Sequence, residues 1–262
     1  MFMKICTWNC RYGLTPEKAA HICQAGYNAD IYVIQEYDML NNKPINEIEK
    51  HLGQLQDKYG DGREYGANAE SGGDLGLALF SNTYQIERIY SNTIPYRYVV
   101  PYKVTCKETN ESFTCIHVWT KIAGPKANQK QDYIMQVIGA LEDPTYNKLL
   151  IPEDNKALWI GDFNSSMQLK NEIDKNNHTR FLENMKKYGL VSAYHTNRQK
   201  KHGEEDQFTF IGTYRNGQQR FFNDYIFYHH DRFKCKTVTI GRFNTFSFFS
   251  DHCPVLAELQ LL

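Results

Sequence analysis

No apolar run in this chain approaches the roughly 18 residues that a membrane-spanning helix needs. The opening residues, Met1-Phe2-Met3-Lys4-Ile5, lack the long apolar core of a secretory signal. An excess of one charge is missing too: 30 lysines and arginines face 30 aspartates and glutamates. No overall basic field therefore marks a tight duplex binder, although a local patch stays open. No Cys-x-x-Cys pair occurs among the seven cysteines, which are scattered and odd in number. Cys6 and Cys10 alone are too few ligands for a structural zinc site. Reduced, mostly buried thiols fit best, and with them a cytoplasmic location. No repeat, linker or low-complexity tract marks a boundary. The 41% apolar content of 262 residues is enough for one sizeable core. A single domain over residues 1–262 is expected.

What the chain does have is a recurring pattern of apolar strands that end on chemically able side chains. The run Ala157–Ile160 reads as a short buried strand. Gly161 breaks it, and Asp162 and Asn164 follow. In extended backbone, residues two apart share a side. A carboxylate and an amide are thus expected to face one way at the strand's C-terminal end, where ligands bind in open α/β sheets. An Asx turn that merely closes the strand is the plain alternative.

The pattern repeats. Met3–Trp8 alternates and ends on Asn9; the nearly all-apolar Asp30–Gln35 ends on Glu36. His117 lies near the end of Ser112–Trp119, the second arm of a hairpin with Tyr98–Cys106. Asp224 interrupts a strand expected over Arg220–Tyr228, which faces Phe208–Tyr214 across an Asn-Gly turn signal at Asn216-Gly217. Asp251-His252 precedes the alternating strand Pro254–Leu261. Asp74–Phe80 and Gln85–Tyr90 are expected to pair as a hairpin. Helices are expected from Thr15 to Gly26, from Pro44 through Leu55 to Gly60, over Gln131–Leu141 and over Thr179–Tyr188.

Carboxylates at buried strand ends are costly unless they are paired or hold a cation. Three or four converging would imply a divalent ion, and oxygen ligands favour Mg²⁺ or Mn²⁺ over zinc. A histidine beside such an ion suits general-base work or phosphate contact.

Taken in order, Trp8-Asn9, Gln35-Glu36, His117, Gly161-Asp162-Phe163-Asn164, Asp224-Tyr225-Ile226 and Ser250-Asp251-His252-Cys253-Pro254-Val255 resemble the endonuclease/exonuclease/phosphatase superfamily, the DNase I-like fold. Each motif is short, but together they reach from Asn9 to the final strand. The resemblance implies an α/β fold (α+β in some schemes), a four-layer α/β/β/α sandwich with two packed mixed β-sheets. It implies a Mg²⁺-dependent phosphoesterase that hydrolyses phosphodiester bonds by attack of water. Glu36 resembles the principal metal ligand, with Asn9 and Asp251 as its helpers, directly or through water. Asp162 resembles the group that positions or deprotonates the water, and Asn164 a donor to the phosphate. His252 resembles the residue that contacts the scissile phosphate or acts as base, and Asp224 the carboxylate that orients it. His117 resembles a second phosphate-contacting histidine, with Asp74 as the acid behind it. One departure is Phe222, where the family often carries arginine two residues before the aspartate.

The substrate expected from this resemblance is a phosphoester in nucleic acid, DNA or RNA, with no protein partner and a monomeric state. The balanced charge suits a small or single-stranded substrate gripped at one phosphate. A phosphoinositide or sphingomyelin headgroup is the alternative, because those branches share the same catalytic residues. A non-catalytic binding module is the third reading; the retention of every catalytic residue type stands against it. Lys121, Lys126 and Lys130 could meet substrate phosphates or be solvated. Tyr96, Tyr98 and Tyr102 are read as strand packing rather than base-stacking platforms.

Overall fold

Side chains along a strand alternate between its two faces, and that period of two decides the layering of this molecule. The computed structural model describes residues 1–39, 44–60, 75–89, 96, 98–120, 133–214 and 217–262. Asp74, the three loop lysines and Arg215-Asn216 lie outside the described residues.

Strands β1 (Phe2–Asn9), β2 (Ile31–Asp38), β3 (Leu55–Tyr59) and β4 (Leu75–Phe80) join β13 (Phe233–Ile240) and β14 (Val255–Leu261) in one six-stranded sheet. Its order is β13-β14-β1-β2-β4-β3. The second six-stranded sheet holds β5 (Tyr84–Arg88), β6 (Val99–Cys106), β7 (Ser112–Trp119), β8 (Ala157–Asp162), β9 (Leu190–Ser192) and β12 (Asp224–His229). Its order is β5-β6-β7-β8-β12-β9. Each sheet is mixed, with one parallel pair at its centre: β1 with β2, and β7 with β8. A separate hairpin pairs β10 (Phe210–Tyr214) with β11 (Gly217–Phe221).

One parity of the first sheet, Ile5, Val33, Leu77 and Leu79, packs into a single buried cluster with β6 and β7 side chains such as Val104 and Phe113. The other parity, Trp8, Tyr32, Ile34 and Phe80, packs under Ile22 of α1 (Pro16–Gln24) and Ile48 and Leu52 of α2 (Ile45–Leu52). Helix α3 (Ile134–Glu142) leads to the short α4 (Asn147–Leu150). Together with α5 (Glu172–Lys187), α3 covers the far face of the second sheet through Val137, Ile138, Phe181 and Met185. The result is the expected helix–sheet–sheet–helix sandwich. Among the described residues, all seven cysteines are free and no helix is long and apolar enough to cross a membrane.

Several element expectations are corrected. Helix α2 stops at Gly53, whose φ of 86° ends it, and Leu55 opens β3 beside β4. Strands β4 and β5 do not pair; they enter different sheets, and β5 pairs with β6. The stretch expected as one strand over Arg220–Tyr228 is two, because β11 ends at Phe221 and β12 begins on Asp224 in another sheet. Helix α5 starts seven residues before Thr179, capped by the Asn171 side chain. Strand β9 and helix α6 (Ala193–Arg198) carry no periodic signal strong enough to be read in advance.

Gly161 is the one glycine on which the central pair depends. It lies in β8 at φ 140°, and a Cβ there would overlap the Val118 carbonyl of β7. Gly161→Ala is expected to destabilise the fold by roughly 3 kcal/mol or more. Urea unfolding measures this, and a loss below about 1 kcal/mol would contradict the close approach.

Candidate active site

The C-terminal ends of the two parallel pairs meet at one edge of the sandwich. Asn9 sits in β1 beside Gln35 of β2, and Asp162 in β8 beside Trp119 of β7. The Asn9 amide donates to Glu36 Oε1 at 3.1 Å and to Asp162 Oδ2 at 3.0 Å, so it links carboxylates from both sheets. Glu36 occupies a bulge between Gln35 and Tyr37, at φ 57°. The extra residue breaks the alternation and turns its carboxylate out of the ladder. The Tyr12 N–H donates to Glu36 Oε2 at 3.1 Å. Loop 10–13 is held in turn by Lys18, a buried lysine of α1. Its ammonium donates to the carbonyls of Arg11 (2.7 Å), Gly13 (2.9 Å) and Cys10.

Asp162 and Asn164 do not lie along an extended strand. Phe163 between them is buried against Phe181 and Tyr225. Asn164 takes φ 44°, and its N–H donates to Asp162 Oδ1 at 2.9 Å. The stretch is thus an Asx turn as well as part of the site. Both amide protons of Asn164 are in use, one on Asp162 Oδ2 (2.9 Å) and one on the Thr120 carbonyl (2.7 Å).

Asp224 stands opposite Asp162 across the β8–β12 ladder. His252 completes the group: its Nδ1 lies 2.9 Å from Asp224 Oδ2 and its Nε2 3.9 Å from Asp162 Oδ2. The Asp224 N–H donates to Thr209 Oγ1 at 3.0 Å, and the His252 N–H to Ser250 Oγ at 3.0 Å. Burial pushes the Asp162 carboxyl up to about 7; nearby Asp224 adds to the rise and His252 opposes it. Burial alone would lower His252, but Asp224 and then Asp162 outweigh it and raise the imidazole to about 10. The buried set therefore holds its charge as an imidazolium between two acids.

These residues open on a cavity of about 230 Å³. Asn9, Glu36, Asp162, Asn164, Asp251 and His252 line it, with Asp224 behind His252. Asp251 lies at the rim, 3.6 Å from Arg11. His117 is not brought to the cavity. It is fully buried between the sheets, its Nε2 2.8 Å from Gln35 Nε2. The reason is its place along β7: His117 pairs with Ile160, two residues short of the Trp119–Asp162 pair at the strand ends, and Trp119 lines the cavity in its place. Arg11, Tyr12, Phe210 and Lys18 were not read from the sequence. Only Lys18 left a trace there, as a lysine next to the apolar Ala19 and Ala20 of α1. Of the three tyrosines read as packing, Tyr98 and Tyr102 are buried and Tyr96 bonds Asp143.

Asp162, Asp224 and His252 place ligand-type atoms within 4.8 Å of one another; His252, as an imidazolium, has no free lone pair, so the carboxylate oxygens are the donors that a divalent ion would use. Glu36 and Asp251 add carboxylate oxygens on the same wall, and such an oxygen-rich donor set fits a hard dication. Fold and pocket together define a metal-assisted hydrolase of phosphoester bonds built as a DNase I-like sandwich. The chain belongs to the Endonuclease/Exonuclease/phosphatase family, whose model matches residues 6–252. It is similar to the human Nocturnin catalytic domain with bound sulfate anion, at 18% identity and a TM-score of 0.66, covering 100% of this chain and 95% of that one. It is also similar to the 3′ phosphatase NExo from Neisseria bound to product DNA hairpin (17% identity, TM-score 0.65, 98% and 99% covered). A third similar structure is D. rerio TDP2 complexed with single-strand DNA product (14% identity, TM-score 0.60, 99% of each chain covered). No curated protein is matched by the chain.

Burial lowers His117 to about 3, well below its ordinary value near 6.5. The unfolded chain then binds a proton that the native state refuses. Stability is expected to fall as pH drops from about 6.5 towards 3, and His117→Gln, which cannot titrate, is expected to lose less over that window. Urea midpoints at pH 7.5 and pH 5 compare the two proteins; equal losses would contradict a neutral, buried His117.

Proposed function

We propose that residues 1–262 act as one domain that hydrolyses phosphodiester bonds in nucleic acid, with Mg²⁺ as the ion, or Mn²⁺ in its stead. The observation that carries this reading is the linked set Glu36–Asn9–Asp162 with His252 and Asp224, gathered at one cavity. The DNA in the NExo and TDP2 structures supports the choice of substrate class. So does a second cavity of about 230 Å³ next to the first, which shares Tyr133, Asn164 and Phe210 with it. Its wall of Ile134, Leu169, Phe210 and Phe221 suits a flat apolar group such as a base beside the gripped phosphate.

Glu36 would hold the ion, helped by Asn9 and Asp251. When bound, the ion supplies positive charge to the phosphate oxygens. Asp162 takes the proton of the attacking water at its carboxylate; a pKa near neutrality suits a base at physiological pH. His252, as an imidazolium, donates from Nε2 to the phosphate, which favours the contact role over that of base. Asp224 holds the ring by Nδ1. Asn164 keeps Asp162 in place and donates a hydrogen bond to a phosphate oxygen only by releasing one of its present bonds. His117 takes no part.

The test is hydrolysis of supercoiled plasmid, single-stranded DNA, single-stranded RNA, a phosphoinositide and sphingomyelin, each with Mg²⁺, Mn²⁺ or EDTA. Nucleic-acid cleavage that stops in EDTA and in Asp162→Asn is expected. Cleavage of the lipids alone, or activity that survives EDTA, would refute the proposal.

Asp224→Asn removes the charge that raises His252. Its kcat is expected to fall by roughly 10²–10⁴-fold. The alkaline limb of its pH profile is expected to move to lower pH, because the imidazolium loses its proton sooner. A limb that stays in place would exclude His252 as the titrating group.

A further inference from the structure

A second cluster of ligand-type side chains lies away from the catalytic cavity. His195 of α6, with His202 and Glu205 of the following loop, place ligand atoms within 4.8 Å of one another. His178 of α5 stands beside them, its ring centre 5.7 Å from that of His202. The Glu205 carboxylate is buried, takes the Gly203 N–H at 3.0 Å, and lies 2.9 Å from His195 Nε2.

Two further observations point to a ligand. His178 Nε2 and His202 Nδ1 are buried with no hydrogen-bond partner among the described residues. An orphaned buried polar atom costs roughly 1–3 kcal/mol, which a bound cation would offset. In addition, two rings are backed by hydroxyls: His178 Nδ1 lies 2.8 Å from Ser165 Oγ, and His195 Nδ1 2.8 Å from Ser192 Oγ. A hydroxyl accepts as readily as it donates, so each can take the Nδ1–H that ligation through Nε2 requires.

We infer that His178, His195, His202 and Glu205 bind a divalent transition metal of the zinc class at a structural site distinct from the reaction centre. Imidazole nitrogens with one carboxylate oxygen are a donor set that zinc accepts and magnesium does not favour. His195 and His202 stack at 3.5 Å between ring centres, with 15° between planes. Two stacked rings cannot both aim in-plane lone pairs at one ion, so loading tilts the loop residue His202 out of the stack. The ion then ties α5 and α6 to the loop that runs on to Thr209 and Phe210. Thr209 anchors the Asp224 N–H, and Ser165 adjoins Asn164, so the metal braces the catalytic strand ends from behind.

The test uses the full chain, stripped with a chelator, returned to millimolar Mg²⁺, and titrated with Zn²⁺ or Co²⁺. One equivalent of Zn²⁺ retained against Mg²⁺, a higher Tm and the visible absorption of four-coordinate Co²⁺ are expected. Ser192→Ala, which removes only the oxygen behind His195, should weaken zinc roughly 10- to 100-fold, and His202→Ala or Glu205→Gln by at least about as much. Asp162→Asn should leave zinc binding intact. Stripped wild-type protein that takes up no zinc, with an unmoved Tm, would make the cluster a metal-free stacked histidine pair and overturn the inference. Loss of the zinc equivalent in Asp162→Asn with retention in His202→Ala would overturn it too.

Discussion

The active end of this molecule depends on one bond that crosses between sheets, from the Asn9 amide to Asp162. Asp162 is fully buried, and a carboxylate in that position is tolerable only with partners. Asn9 supplies one, and the same amide nitrogen reaches Glu36. Both acids are thereby tied to a strand that the core holds in register. Ser250 extends the tie, because its hydroxyl donates to the Asn9 carbonyl and accepts the His252 N–H. Asn9 thus serves as the joint on which both sheets close.

The second constraint is electrostatic. Two aspartates face each other across an antiparallel pair, in a setting where like charges repel strongly. His252 between them relieves the repulsion and gains its proton affinity from it. The same physics that makes the pair affordable in a fold makes it useful in a reaction. A buried acid that titrates near neutrality and an imidazole that stays charged are opposite outcomes of one arrangement.

Much of this was legible in the linear chain. The alternation of β1, the apolar β2 and the glycine after Ile160 placed Asn9, Glu36 and Asp162 at strand ends, and the structure gathers them with Asn164, Asp251 and His252 around one cavity. What was not legible has a common cause. His117 shares a face of β7 with Trp119 but stands two residues short of the strand end, and that distance separates a cavity wall from a sealed interior. Leu55 continued a helical spacing but belongs to a strand, because Gly53 turns the chain and β4 offers an edge. Asp224 was assigned to the middle of a strand since nothing local says that β11 and β12 separate into different sheets.

The order of polar residues along apolar segments and the lack of a charge excess are properties of the chain itself, set by side-chain chemistry and the period of two. Which strands share a sheet was decided only in three dimensions, because pairing is a contest among distant edges. The bulge that turns Glu36 outward, the lysine that pins loop 10–13 and the meeting of His195, His202 and Glu205 were likewise settled there. Each depends on a partner that local sequence does not name, and burial reveals it only when the whole chain has closed.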